Sequence, residues 1–269
     1  MKVLKESIIK ERLSKLLKTR KMGKSIYVFN ELDSTQDYAN SLPKNESFHG
    51  TIVIARKQNI GKGRMGRNWI SPEGGLWMSI ILIPDFNVDN IIFTQFLGAL
   101  AVADAIFENT KIYCKLMLPN DVLINEKKVC GILIDLHIEN ETKKIVMGIG
   151  LNANIASSLI NDYLTSHDLK ATTLKEEYGN EVDLLFLVKS ILERIEYYYD
   201  NFISCGNTSE IIDRWKEKSD MFGKKATVHD GNKKIVGHIF DIDQTGALLM
   251  KLSDASIKKI TYYDNVTLH

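Results

Sequence analysis

The chain has 269 residues, of which 44% are hydrophobic and 26% charged, and its net charge is +1. That leaves room for one large core, or for one core plus a small appended module, in a globular protein of ordinary composition. No run of 18 apolar residues occurs, and charges run through MKVLKESIIKERL where a signal peptide would carry its apolar segment. Membrane spanning and export are therefore set aside and a cytoplasmic chain is expected. Three cysteines (Cys114, Cys130, Cys205) without CxxC spacing argue for reduced, packed thiols rather than a disulfide framework. The six histidines form no HExxH or HxxxH pair, so no metal site is expected.

Residues 1–24 carry nine Lys or Arg against two Glu, a net of +7 that leaves −6 for the remainder. The apolar positions Leu4, Ile8, Ile9, Leu13, Leu16 and Leu17 recur at helical intervals, which predicts a basic amphipathic helix ending near Gly23. Such a helix is either an arm for an acidic partner or a packed helix with a solvated lysine face. With no space before Ser25 for a helix-turn-helix, the packed form and no nucleic-acid partner are expected.

SIYVFNEL and TIVIARKQ read as strands, with STQDYANSLPK between them as a short helix broken before Pro43. LWMSIILIP is a strand, and DNIIFTQFLGALAVADAIFENT a long, nearly uncharged helix of the kind that is buried. KIYCKLMLPNDVLINEKKVCGILIDLHI reads as two strands joined at NEKK, and KKIVMGIGLNAN as one more. VDLLFLVKSILERIEYYYDNFI and EIIDRWKEKSDMF predict two helices, and beyond Lys224 short strands with turns at HDGNKK, DQTGA and SDAS have the rhythm of a small barrel. The fold class is thus α/β (α+β): a mixed sheet flanked by helices, then a small all-β module. Three parts follow, residues 1–24, 25–222 and 223–269.

NIGKGRMGRNW, residues 59–69, packs three glycines, three cations and a tryptophan into one loop. Its glycines match GxGxxG formally, with Asp85 about 20 residues on as a dinucleotide fingerprint asks. The context fails, because Trp69 and the turn SPEGG lead into a strand where the fingerprint needs a helix. No Walker GK[ST] follows either. What remains is backbone able to wrap an anion, with cations to neutralise it, so a phosphate or carboxylate ligand is expected. Other polar residues stand at strand ends, where open α/β sheets bind ligands: Asp33, Ser34, Thr35 and Gln36, then Gln58, Asn120, Asp121, Lys128, Gly131 and Asn152. Ser34 could equally serve as a helix cap.

ELDSTQ, ARKQNIGKGRMGRNWISPEGGLWMSI, LPNDVLINEKKVCGIL and GIGLNAN, in that order, closely resemble the biotin protein ligases, in particular compact archaeal-type members without a DNA-binding domain. The resemblance runs from about Ser25 to the C-terminus, where TGALLMKLSDASIKKITYYDNVTL is similar to the family's small C-terminal barrel. It implies a class II synthetase-like catalytic domain followed by an SH3-like β-barrel. It also implies a two-step reaction with biotin, ATP and Mg²⁺, in which biotinyl-5′-AMP forms and biotin then passes to one lysine of a biotin carboxyl carrier protein. A homodimer is implied as well. Arg64, Lys128 and Asp121 match the catalytic residues, Asp121 as the group that orients or deprotonates the incoming lysine. Ser34, Thr35, Gln36, Gln58, Gly61, Lys62, Gly63, Arg64, Lys128 and Gly131 match the biotin site. Arg64, Arg67, Trp69, Asn120, Lys128 and Asn152 match the adenylate site, and the loop matches a lid, mobile when empty and ordered by biotin.

Two departures stand out. The family carries Lys-Trp before Pro-Asn-Asp where this chain has Met117-Leu118, with Lys115 two places earlier, and Met65 takes the place of a further arginine. Losing the lysine puts the adenylation rate in question, and leaves open a biotin-binding regulator with lost turnover. A lipoate or octanoate ligase of the same fold is the other alternative.

Overall fold

A computed structural model describes residues 5–84, 90–139, 142–162, 169–203, 206–230, 233–261 and 265–269. The expectations for Leu4, Asp85 and Cys205 lie outside the described residues. A seven-stranded mixed sheet forms the larger part, in the order β1 (Ile26–Leu32), β2 (Ile52–Gln58), β3 (Leu76–Leu82), β7 (Thr142–Leu151), β6 (Lys127–Glu139), β5 (Asp121–Ile124), β4 (Lys115–Met117). Only the β1–β2 pair is parallel, and the other neighbours are antiparallel. The parallel pair is joined by α2 (Thr35–Ser41), a crossover that brings the start of this short helix to the C-terminal end of β1.

The long apolar helix is α3 (Ile91–Thr110). By length and composition alone it could cross a membrane, but most of it is buried against α6 (Leu184–Tyr198), α7 (Thr208–Glu217) and the sheet. Its apolar character is that of a core helix, and Phe96 meets Trp215 of α7 at 5.5 Å between ring centres. Cys114 and Cys130 are free and buried, and desolvation pushes the Cys114 thiol up to about 12 and raises that of Cys130 further. The C-terminal segment forms a separate five-stranded antiparallel sheet in the order β11 (Ile257–Ile260), β10 (Leu248–Lys251), β9 (Lys233–Ile242), β8 (Lys225–Asp230), β12 (Asn265–Leu268).

Two expectations need correcting. The N-terminal helix α1 spans Glu6–Leu16 and stops well before Gly23. Its continuation is prevented because the Glu196 carboxylate takes the backbone N–H groups of Arg20 (2.8 Å), Lys21 (2.6 Å) and Met22 (3.2 Å), donors that a helix would turn toward its own carbonyls. Arg20 and Lys21 also pair with Asp200, so the basic segment is docked along α6. The residues between Lys115 and Ile124 are two strands, not one. Pro119 supplies no N–H, and Asn120 instead bonds to Ile132 twice, its Nδ2 donating at 2.7 Å and its carbonyl accepting at 3.0 Å. The chain therefore folds back, with Met117 opposite Asp121.

α1 covers β1, the end strand of the sheet, where Glu6 accepts the Asn30 N–H at 2.9 Å and Leu13 is fully buried. Covering an end strand removes a template for pairing with other chains. Leu13→Ala is expected to cost about 3 kcal/mol of stability by leaving a cavity at this seam. Urea denaturation measures it, and a cost below about 1 kcal/mol would mean that α1 is a loosely attached arm.

Candidate active site

One cavity of about 1130 Å³ opens at the ends of β1, β2, β6 and β7, bounded by the cationic loop on one side and by the C-terminal sheet on another. Among its lining residues are Ser34, Thr35, Gln36, Gln58, Lys62, Gly63, Arg64, Arg67 and Trp69, together with Asn120, Asp121, Lys128, Gly131 and Asn152. Gly61 does not line it. A Cβ there would lie 2.3 Å from the Trp69 carbonyl, so this glycine lets the two arms of the loop close on each other, and Trp69 N donates to Gly61 O at 2.8 Å.

One set of polar groups at the cavity is neutral and joined. Thr35 donates to Gln58 Oε1 from its backbone N (2.8 Å) and from its hydroxyl (3.0 Å), and the hydroxyl also lies 2.9 Å from Ser79 Oγ. Ser79 Oγ donates to Gln36 Oε1 at 3.0 Å, and Gln58 Nε2 donates to Ser71 Oγ at 2.9 Å. Ser34 caps α2, accepting from Asp37 N at 3.3 Å, and the same residue lines the cavity. Such a fixed, uncharged set in a mainly apolar slot is suited to a neutral polar ring.

A second set carries charge and an aromatic face. Lys128 Nζ pairs with Asp121 Oδ1 at 2.6 Å and lies 5.1 Å from the ring centre of Trp69. The indole rests on a glycine pair in register across two strands, Gly131 of β6 and Gly150 of β7. A Cβ on Gly150 would stand 2.5 Å from Trp69 Nε1, and one on Gly131 3.1 Å from Cζ3. Two buried polar atoms, Trp69 Nε1 and Asn152 Oδ1, have no hydrogen-bond partner among the described residues. Both atoms belong to residues that line the cavity, and buried groups of this kind are rare unless a ligand completes them. Asn152 is otherwise held firmly, its Nδ2 donating to Thr172 O at 3.1 Å.

The loop itself is tied at its base and turned outward at its tip. Gly63 N donates to Arg67 O at 2.8 Å, and Arg67 N to Arg64 O at 3.1 Å. Met65, at φ 56°, and Gly66, at φ 70°, are both in the left-handed region, and Met65 is 64% exposed. Lys62 pairs with Asp37 of α2 at 2.6 Å, which ties the loop to that helix. Lys115, two residues before Met117 and on the same face of β4, lines the cavity with it.

Several lining residues escaped the sequence reading. Ser79 had a signal, as a lone hydroxyl inside the apolar run LWMSIIL, and Gly148 and Gly150 had another, standing at alternate positions ahead of Asn152. Val266, Leu268 and His269 of the C-terminal sheet had none, because only the docking of the two sheets brings them to the cavity.

The fold and the site are suited to a small molecule carrying both neutral polar and anionic groups, held beside a glycine-rich cationic loop. A model of the biotin/lipoate A/B protein ligase family matches residues 28–152. The bifunctional ligase/repressor BirA of Bacillus subtilis is 35% identical over 246 residues, an alignment that takes in 91% of this chain and 74% of that one. A biotin protein ligase from Aquifex aeolicus, solved in complex with biotin and ATP, superposes with a TM-score of 0.76 at 29% identity, covering 91% of this chain and 99% of that one. The human biotin–protein ligase is 30% identical over 193 residues, covering 66% of this chain and 26% of that one. The chain belongs to the biotin protein ligases of the biotin/lipoate A/B protein ligase family.

Proposed function

We propose that this chain activates biotin with ATP and transfers it to a single lysine of a biotin carboxyl carrier protein. In the first step a biotin carboxylate oxygen attacks the α-phosphorus, the bond from that phosphorus to the bridging oxygen breaks, and diphosphate leaves with the electron pair. In the second, the lysine amine attacks the acyl carbon, AMP leaves and the amine proton is lost. The first step joins two anions, so catalysis is mostly neutralisation and alignment. The observation that carries the reading is that one cavity brings together neutral partners at Thr35 and Gln58, cations at Lys128 and Arg64, and Trp69 and Asn152 with polar atoms to spare.

On this reading Thr35, Gln58 and Ser34 hold the ureido ring, while Arg64, Lys128 and Lys62 face the carboxylate and α-phosphate. Trp69 and Asn152 take the adenylate. Lys115 supplies the charge that Met117 lacks. Asp121, which pairs with Lys128, would receive the acceptor lysine's proton, and an ordinary lysine is mostly protonated at neutral pH. The Mg²⁺ that accompanies ATP fits as an ion carried by the phosphates. Among the described residues no three acidic, histidine or cysteine side chains cluster, and such ions commonly keep several waters and are held mainly through the substrate phosphates. The ion would neutralise phosphate charge.

A homodimer in the cytoplasm is proposed on the resemblance alone, and sedimentation tests the dimer. The test of function uses the whole protein with ATP, Mg²⁺ and labelled biotin, followed by a carrier domain. Adenylate and then biotinylated lysine are the expected products. Biotin binding without adenylate would identify a sensor, and binding of lipoate instead would overturn the assignment.

A further inference from the structure

Lys144, near the start of β7, is fully buried, which is rare for a lysine. Its ammonium donates to three backbone carbonyls, Ala39 at 2.7 Å, Asn40 at 3.1 Å and Leu42 at 2.5 Å. These belong to the last turn of α2 and to Leu42 just beyond it, where a helix leaves its carbonyls without partners and where its dipole favours a cation. Burial and the nearby Lys44 both work against the charge, so the site keeps the ammonium at a cost.

What that end of α2 controls is the other end. α2 spans only Thr35–Ser41, too short to persist by its own hydrogen bonds, and its first turn places Ser34, Thr35 and Gln36 in the cavity. Further along, Asn40 Nδ2 donates to Asp135 at 2.8 Å, and the same carboxylate oxygen accepts from Gln36 Nε2 at 3.0 Å. The alternate residues of β7 continue the support. The carbonyl of Val146 accepts from Gln36 Nε2 at 3.0 Å, and Gly148 leaves room for Gln36, since a Cβ there would be 2.6 Å from Oε1. One face of one strand thus anchors the helix at Lys144, seats its glutamine at residues 146 and 148, and carries the indole at Gly150.

We infer that Lys144 is a positioning residue for the biotin end of the site: it clamps the C-terminal turn of α2 so that Ser34, Thr35 and Gln36 keep their places. The inference rests on the biotin reading above. In Lys144→Met, which keeps a buried stem and removes every donor, the Kd and KM for biotin are expected to rise roughly tenfold, about 1.4 kcal/mol, while kcat and the KM for ATP stay within about twofold. Lys144→Gln, with a shorter neutral donor, should fall between, and it carries the comparison if the methionine variant does not fold. Calorimetry and steady-state kinetics on protein shown to be folded by circular dichroism read these values. A lysine that served stability alone would lower the melting temperature and leave the biotin KM unmoved, and that result overturns the inference. Wild-type protein that binds no biotin would remove the reading of function itself, an outcome visible before any variant is made.

Discussion

Lys128→Met is expected to slow biotinyl-adenylate formation by about 10²–10³-fold, the range for losing one group aimed at developing charge, while biotin still binds. The side chain is where three elements meet. Its backbone is pinned by Lys128 N donating to Lys170 O at 2.8 Å and by Thr172 N donating to Lys128 O at 2.9 Å. Its ammonium lies between the Asp121 carboxylate and the face of Trp69. The Asp121 side chain is only 12% exposed, so removing its partner leaves a charge poorly hydrated, and some loss of stability accompanies the loss of rate. The two effects separate in a double variant. Lys128→Met with Asp121→Asn should recover most of the melting temperature and none of the adenylation rate. A single-turnover rate for Lys128→Met above about a tenth of wild type would mean that the first step is neutralised from elsewhere, with Lys115 and Arg64 the next residues to change.

The elements that the sequence revealed are those whose pattern is local. Continuous apolar, β-branched-rich runs in residues 51–58 and 76–82 and helical spacing in residues 91–110 reflect how deeply each element is buried, and burial is written into the residues themselves. The N-terminal helix illustrates the limit. Leucines at helical spacing continue to Leu17, but Glu196, far along the chain, takes the N–H groups that follow. No local pattern contains that competitor. The strand break at Pro119 has its signal in a residue without an N–H followed by Asn120 and Asp121, but the apolar runs Leu116–Leu118 and Val122–Ile124 on either side read as one continuous strand.

The site divides in the same way. Glycines interleaved with cations at residues 61–67 pointed to an anion, and the polar residues at strand ends to a shared cavity, which most of them line. Hydrogen bonds between such residues were not legible: that Thr35, Gln58, Ser79 and Gln36 form one connected set depends on the register of β2 and β3 and on how α2 lies across them. Lys144 gave no sign at all. In KKIVMGIG it reads as one of two exposed lysines, and only the path of α2 over β7 turns it inward.

Gly150→Ala is expected to disable adenylation by roughly 10²-fold, the loss that an ångström of misplacement at a reacting centre produces. The added carbon would stand 2.5 Å from Trp69 Nε1 and 2.6 Å from Cε2, and a rigid indole has no flexible end to yield. Trp69 must then lift from the sheet, taking with it the face against which Lys128 is set and narrowing the place where the adenylate lies. The strand itself accommodates alanine, so overpacking should cost only about 1–3 kcal/mol and leave folded protein. Gly131→Ala provides an internal scale. Its Cβ would stand 3.1 Å from Cζ3 and 3.2 Å from Cη2, contacts relieved by a few tenths of an ångström, and so its adenylation should fall far less. Tryptophan fluorescence measured beside single-turnover rates tests both together. If Gly150→Ala forms the adenylate at the wild-type rate, the indole is free to move without consequence, and the nucleotide must then be recognised chiefly at Asn152 and the loop cations rather than on the tryptophan that the glycine pair supports.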